Sequence, residues 1–110
     1  MKRRRPAEFA SLRVIGNTGR FDEEVRGPAA ALAVFEAWRK SAGPRLGALT
    51  RPVEWNGHRL VVEVSDPLWL RHLDRMRDRL LPELNAALAG DPGTDRRLRV
   101  DRLLLRPWSP

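Results

Sequence analysis

The chain has 110 residues and no cysteine, which is one core's worth of protein and excludes disulfide frameworks, thiolate metal sites and thiol catalysis. No apolar run approaches the roughly 20 residues that span a bilayer, and the basic start is followed by Pro6-Ala7-Glu8 rather than an apolar signal core, so a soluble, cytoplasmic protein without membrane contact is expected. The formal charge of +7 is mostly arginine and selects polyanions, such as nucleic acid or an acidic protein face, as the class of partner.

Taken in chain order, Lys2, Arg3, Arg4 and Arg5 form a polybasic start with nothing apolar to tether it. Phe9, Leu12 and Ile15 recur every three residues, predicting a short helix over residues 7–15 before the break at 16–19. Pro28 suits an opening helical position, and Ala31, Leu32, Phe35, Trp38 and Ala42 share one face of a helix over residues 28–42. Gly43 stops it, and Pro44 opens a second short helix over 44–49 with Leu46 and Leu49 inward. Residues 50–55 read as extended, with Val53 and Trp55 on one side.

Asn56-Gly57 predicts a tight primed turn, because both residues tolerate positive φ, and residues 58–65 are the returning strand. Leu60, Val62 and Val64 face one way and Arg59, Val61 and Glu63 the other, so one sheet face is apolar and the other mixed. A long helix follows, capped by Ser65 or Asp66, with Pro67 in its first turn. Its stripe is Trp69, Leu73, Met76, Leu80, Leu84 and Ala87, flanked by Leu70, Leu81 and Leu88. Pro82 predicts a kink or a break, Arg77 falls inside the apolar sector of an unkinked wheel, and Gly90 closes the helix. Residues 91–94 form a turn and 98–105 a last strand. The order describes an α+β domain whose small three-stranded sheet contains an antiparallel hairpin covered by helices on one face. Its expected parts are a basic, partly disordered segment 1–27, a folded domain 28–107 and a tail 108–110. Seven Lys or Arg against four Asp or Glu give the first a net +3, and fourteen against ten give residues 28–110 a net +4.

Gly43-Pro44-Arg45-Leu46-Gly47 lacks the Gly-Lys-Ser/Thr ending of a nucleotide loop and has three residues between its glycines, not two as in a Gly-x-x-Gly clamp. It reads as a mechanical joint, with Arg45 and Arg51 still placed to touch phosphate. His58 and His72 have no His or Cys at ligand spacing, and no nucleophile–base or paired-carboxylate set stands out. Neither enzyme activity, metal, cofactor nor small-molecule substrate is expected. Trp38 and Trp69 are core candidates; Trp55 and Trp108 are edge-packing residues or stacking platforms for a base. Arg71, Arg75 and Arg79, spaced by four beside His72, form either a basic ridge or a solvated face offset by Asp74, Asp78 and Glu83.

Trp38, Gly43-Pro44, Leu46, Thr50-Arg51-Pro52, Asn56-Gly57, Leu60-Val61-Val62-Glu63-Val64, Trp69-Leu70, Leu73, Leu80-Leu81 and Leu84-Asn85 with a closing strand resemble the DciA family of bacterial replication proteins. The resemblance covers residues 32–105, and Trp38, Gly43, Thr50, Arg51, Pro52 and Trp69 are its signature positions. It implies a KH-like domain, a non-enzymatic role in recruiting or loading the replicative DNA helicase (DnaB type), and binding to DNA, single- or double-stranded. Lys2, Arg3, Arg4, Arg5, Arg45, Arg51, Arg71, Arg75 and Arg79 are the candidate nucleic-acid contacts. An RNA-binding KH-like module without a replication role, or a scaffold that binds only protein, would fit the same arginines and fold.

Overall fold

The computed structural model describes residues 24–108; the polybasic start, the helix expected over 7–15 and the break at 16–19 lie outside them. Residues 24–26 are helical and Val25 is buried. Helix α1 (Pro28–Leu49) opens on its proline and is interrupted at Gly43, whose φ of 81° and ψ of 172° are non-helical, before Pro44 restarts it. The expected division into two helices is therefore present, and Gly43 supplies a positive φ that L side chains adopt only with strain. The buried face is Ala30, Val34, Ala37 and Trp38, one step round from the expected stripe, and Leu32 is 55% exposed. The alanines let α1 lie close to a later helix, and two overlapping stripes satisfied the same three-to-four spacing.

At the end of α1 the Trp38 indole Nε1–H donates to Thr50 Oγ1 (3.0 Å), and that hydroxyl donates to the Leu46 carbonyl (2.7 Å). Thr50 is both the last residue of the joint and the first of β1 (Thr50–Trp55), which pairs antiparallel with β2 (Arg59–Val64). Pro52 opposes Val62 but Glu54 opposes Val61, so Val53 is the extra residue of a bulge. Val53 and Trp55 therefore do not share a face as expected; Thr50, Pro52 and Trp55 are the buried residues of β1. In the connection only Gly57 has positive φ (104°), so the turn is not the doubly positive type expected. Asn56 instead accepts through Oδ1 from the backbone N–H groups of His58 and Arg59. A Cβ on Gly57 would also stand 2.7 Å from Arg26 Cγ.

The long helix is two helices. Asp66 caps α2 (Pro67–Arg75) by accepting from Leu68 N, and α3 (Arg77–Ala89) begins after Met76, whose φ of −91° and ψ of 1° break the run. Pro82 lies inside α3 rather than at a break. The physical reason is packing: α2 lies against β2 and β3, while α3 lies chiefly against α1. Turning at Met76 also carries Arg77 out of the apolar sector to pair with Asp74 (3.1 Å). Leu73, Leu80, Leu84 and Leu88 are buried, whereas Trp69, Leu70, Met76, Leu81 and Ala87 are partly buried against them.

The last strand starts four residues later than expected, as β3 (Arg102–Pro107). Leu98 and Val100 are buried outside it. Asn85 occupies the ladder's place, donating from Nδ2 to the Val100 carbonyl (2.9 Å) and accepting from Val100 N (2.7 Å). Parallel pairing sets Leu60 beside Leu103 and Val62 beside Leu105 on the core face, in the strand order β1-β2-β3. The result is a small KH-like α+β fold, with the described helices on one face of a mixed sheet.

Replacing Thr50 by Val leaves the Trp38 N–H, on a side chain 1% exposed, without its acceptor. Urea unfolding of Thr50→Val is expected to show a loss of about 1–3 kcal/mol with an unchanged m-value.

Candidate nucleic-acid interface

Strand alternation sends Arg51, Arg59, Val61, Glu63, Arg102, Leu104 and Arg106 to the open face of the sheet. Val61 is fully buried there and stands apart from the main core. Glu63, on the central strand, is 5% exposed. Arg51 Nε and Nη2 both reach its Oε1 at 2.9 Å, and Arg106 Nε and Nη2 both reach its Oε2 at 3.1 Å. One carboxylate thus ties the three strands across the face. The Arg51 hydrogen bonds hold the Glu63 carboxyl below its ordinary value against the opposing effect of burial, with Arg106 adding to the lowering. Beyond β3, Trp108 N donates to the Val64 carbonyl (2.9 Å), and the Trp108 ring lies 4.1 Å from the Arg51 guanidinium carbon.

A second feature lies at the free edge of β3. An open groove of about 410 Å³ runs between this strand and the start of α3, and Arg59, Arg77 and Arg102 line it from three elements, with Asp78 and Asp101. Arg59 Nε is buried with no hydrogen-bond partner. An N–H removed from water without an acceptor costs about 1–3 kcal/mol.

The residues expected from sequence are only partly gathered. Lys2, Arg3, Arg4 and Arg5 lie outside the described residues. Arg45 is exposed on the short helical piece after Gly43, while Arg51 is committed to Glu63 and Trp108. Arg71 and Arg75 are exposed on α2, and Arg79 is exposed on α3, so the break at Met76 divides the ridge between two axes. Arg59, Arg77, Arg102 and Arg106 were missed. The period-two placing of Arg59 and Glu63, and of Arg102 and Arg106, was a readable signal, but the parallel register that aligns them was not.

Two of the tryptophans resolve as framework. Trp38 is in the core, and Trp55 is 8% exposed with its Nε1–H donated to the Val25 carbonyl. Trp69 is partly buried, with His72 edge-on at 5.3 Å; beside them Leu68 is 71% exposed, and the three line an apolar depression. Among the described residues no set of three His, Asp or Glu side chains is placed to hold a metal ion, and no helix is long and apolar enough to cross a membrane.

Because the folded Glu63 value is lowered, its contribution to stability is complete above its unfolded value near 4.5 and is lost as pH falls through the lowered folded value. Thermal unfolding of Glu63→Gln against wild type is expected to show a Tm deficit at about pH 6 that shrinks steadily towards about pH 2.

The fold agrees with a comparison against protein families. The family described as Dna[CI] antecedent, DciA, matches residues 13–96, which include the kinked α1, the hairpin and both later helices. No match was found among curated proteins. With most of its length matched, the chain belongs to the DciA family, a family of helicase-loading accessory proteins rather than of enzymes, and its role is associated with DNA replication.

Proposed function

We propose that this protein binds DNA and recruits or loads the replicative DNA helicase, of the DnaB type, acting in the cytoplasm without chemistry of its own. The observation that carries the helicase half is the family match over residues 13–96. The DNA half is supported by arginines distributed over the fold: Arg59, Arg77 and Arg102 around one groove, and Arg71, Arg75 and Arg79 exposed near the turn between α2 and α3. Charge of this kind gives affinity through counterion release and does not itself select sequence.

The helicase contact is best sought on α2. Leu68 is a large apolar side chain left in water beside Trp69 and His72, and Arg71 and Arg75 border it. An apolar anchor ringed by polar groups is the usual composition of an energetic centre in a protein interface. A clamp on DNA and an anchor on protein, held by one rigid domain, would bring helicase and template together without a nucleotide-driven step.

A helicase-loading assay on forked DNA tests the whole reading, with stimulation by the protein as the expected result; no stimulation at any salt concentration would sink it, and tighter binding to single-stranded RNA than to DNA would transfer the arginines to an RNA-binding role. Replacing Arg71, Arg75 and Arg79 together by Ala is expected to weaken DNA binding and lower the salt slope by about 0.7–0.9 for each phosphate that is no longer neutralised. Leu68→Glu is expected to weaken helicase binding by about tenfold or more with unfolding unchanged.

A further inference from the structure

The open face of the sheet joins four arginines from three strands to one aromatic plane. Arg59 and Arg102 stand side by side at one end, and Arg106 and Arg51 flank Glu63 at the other, where Trp108 lies over Arg51. Among the described residues no helix lies over the face, and Glu63 fixes two of the guanidinium groups while leaving Arg51 42% and Arg106 45% exposed. Trp38 and Trp55 are buried, so Trp69 and Trp108 are the indoles with accessible surface among the described residues. Only Trp108 stands among the arginines of this face.

We propose that this face is a platform for single-stranded DNA, on which a base stacks against Trp108 and neighbouring phosphates lie on Arg106, Arg102 and Arg59. The proposal rests on the DNA-binding reading above and adds to it a site and a strandedness. Arg102 and Arg106 are four residues apart on one strand, about 13 Å, which suits a short run of extended nucleotides. A stacking plane selects single strands because a base in a duplex already has both faces covered, whereas every unpaired base offers a π-face irrespective of sequence. Arg59 belongs to both this face and the groove at the β3 edge, and its Nε lacks a partner in the protein. The phosphate path therefore has a direction, from Trp108 along β3 into the groove.

The test is fluorescence anisotropy with the full chain, a labelled oligo-dT of about 12 nucleotides and a duplex of equal length. Trp108→Ala is expected to weaken oligo-dT binding about tenfold while leaving duplex binding within about twofold, and Trp108→Phe to restore most of the affinity. Arg102→Ala should lower the single-strand salt slope by about 0.7. Because Trp108 also packs on Arg51, a readout independent of the Ala variant is needed: in a Trp69→Phe background, oligo-dT should quench indole emission, and adding Trp108→Phe should abolish the quench. A folded Trp108→Ala protein with wild-type affinity for oligo-dT, an equal loss on duplex, or an unquenched Trp108 would each overturn the platform while leaving the DNA-binding reading standing. Failure of the wild-type protein to bind either DNA would overturn both.

Discussion

The indole N–H of Trp38 is the point on which the helical and sheet layers are registered. It donates to Thr50 Oγ1, and the hydroxyl in turn donates to the Leu46 carbonyl in the last turn of α1. Three constraints meet there. A nearly inaccessible indole needs an acceptor, a helix end needs its carbonyls satisfied, and the chain must turn from helix to strand within one residue. Thr50 answers all three, and Gly43 makes the answer reachable, since its positive φ bends α1 so that residues 44–49 return beneath Trp38. With the joint set, β1 has one available register, and the parity of β2 and β3 follows from it.

That parity determines the chemistry of the open face. Glu63 sits on the central strand and can meet an arginine from either side, whereas on an edge strand it could be tied to one neighbour only. A buried carboxylate is costly unless its lone pairs are filled, and four N–H groups from Arg51 and Arg106 fill them. The same sheet is closed to further strands at both edges. Ser65 N donates to the Leu49 carbonyl, so the N–H of residue 52 would point away from β2, and residue 52 is proline. On β3, Arg102 N and Trp108 N point to β2, so the N–H of residue 107 would point outward, and residue 107 is also proline. Each edge lacks a donor where another chain would need one.

Much of this was legible in the sequence. The α+β order, the division of α1 at Gly43-Pro44, the hairpin around Gly57 and the apolar set Leu60, Val62 and Val64 all follow from local rules, because glycine, proline and period-two alternation act within a few residues. The errors arose where tertiary packing chose between locally equal options. Pro82 was the visible helix breaker, yet a helix tolerates one missing donor more readily than an axis that must serve two partners, so the turn fell at Met76. Asn85 looked like an ordinary helix residue, and nothing nearby announced that its amide would replace a strand partner for Val100. The bulge at Val53 is similarly silent. Family resemblance supplied what local rules could not, namely the helicase, while the arginines it left unmarked, Arg59, Arg77 and Arg102, converge only once the parallel strand is in place.

The distribution of polar groups also separates the surfaces by task. On α2, the long apolar side chain of Leu68 is exposed and Trp69 beside it is only partly covered. On the sheet, by contrast, Val61 is completely covered, and Leu104, 37% exposed, stands between the exposed guanidinium groups of Arg102 and Arg106. Apolar exposure favours a partner that can exclude water over a closed patch, and guanidinium exposure favours one that keeps its water and exchanges counterions. Under the proposed function, the apolar patch on α2 would take the protein and the guanidinium groups of the sheet would take the nucleic acid, two contacts whose energies depend on salt in different degrees. Raising ionic strength should release the second before the first.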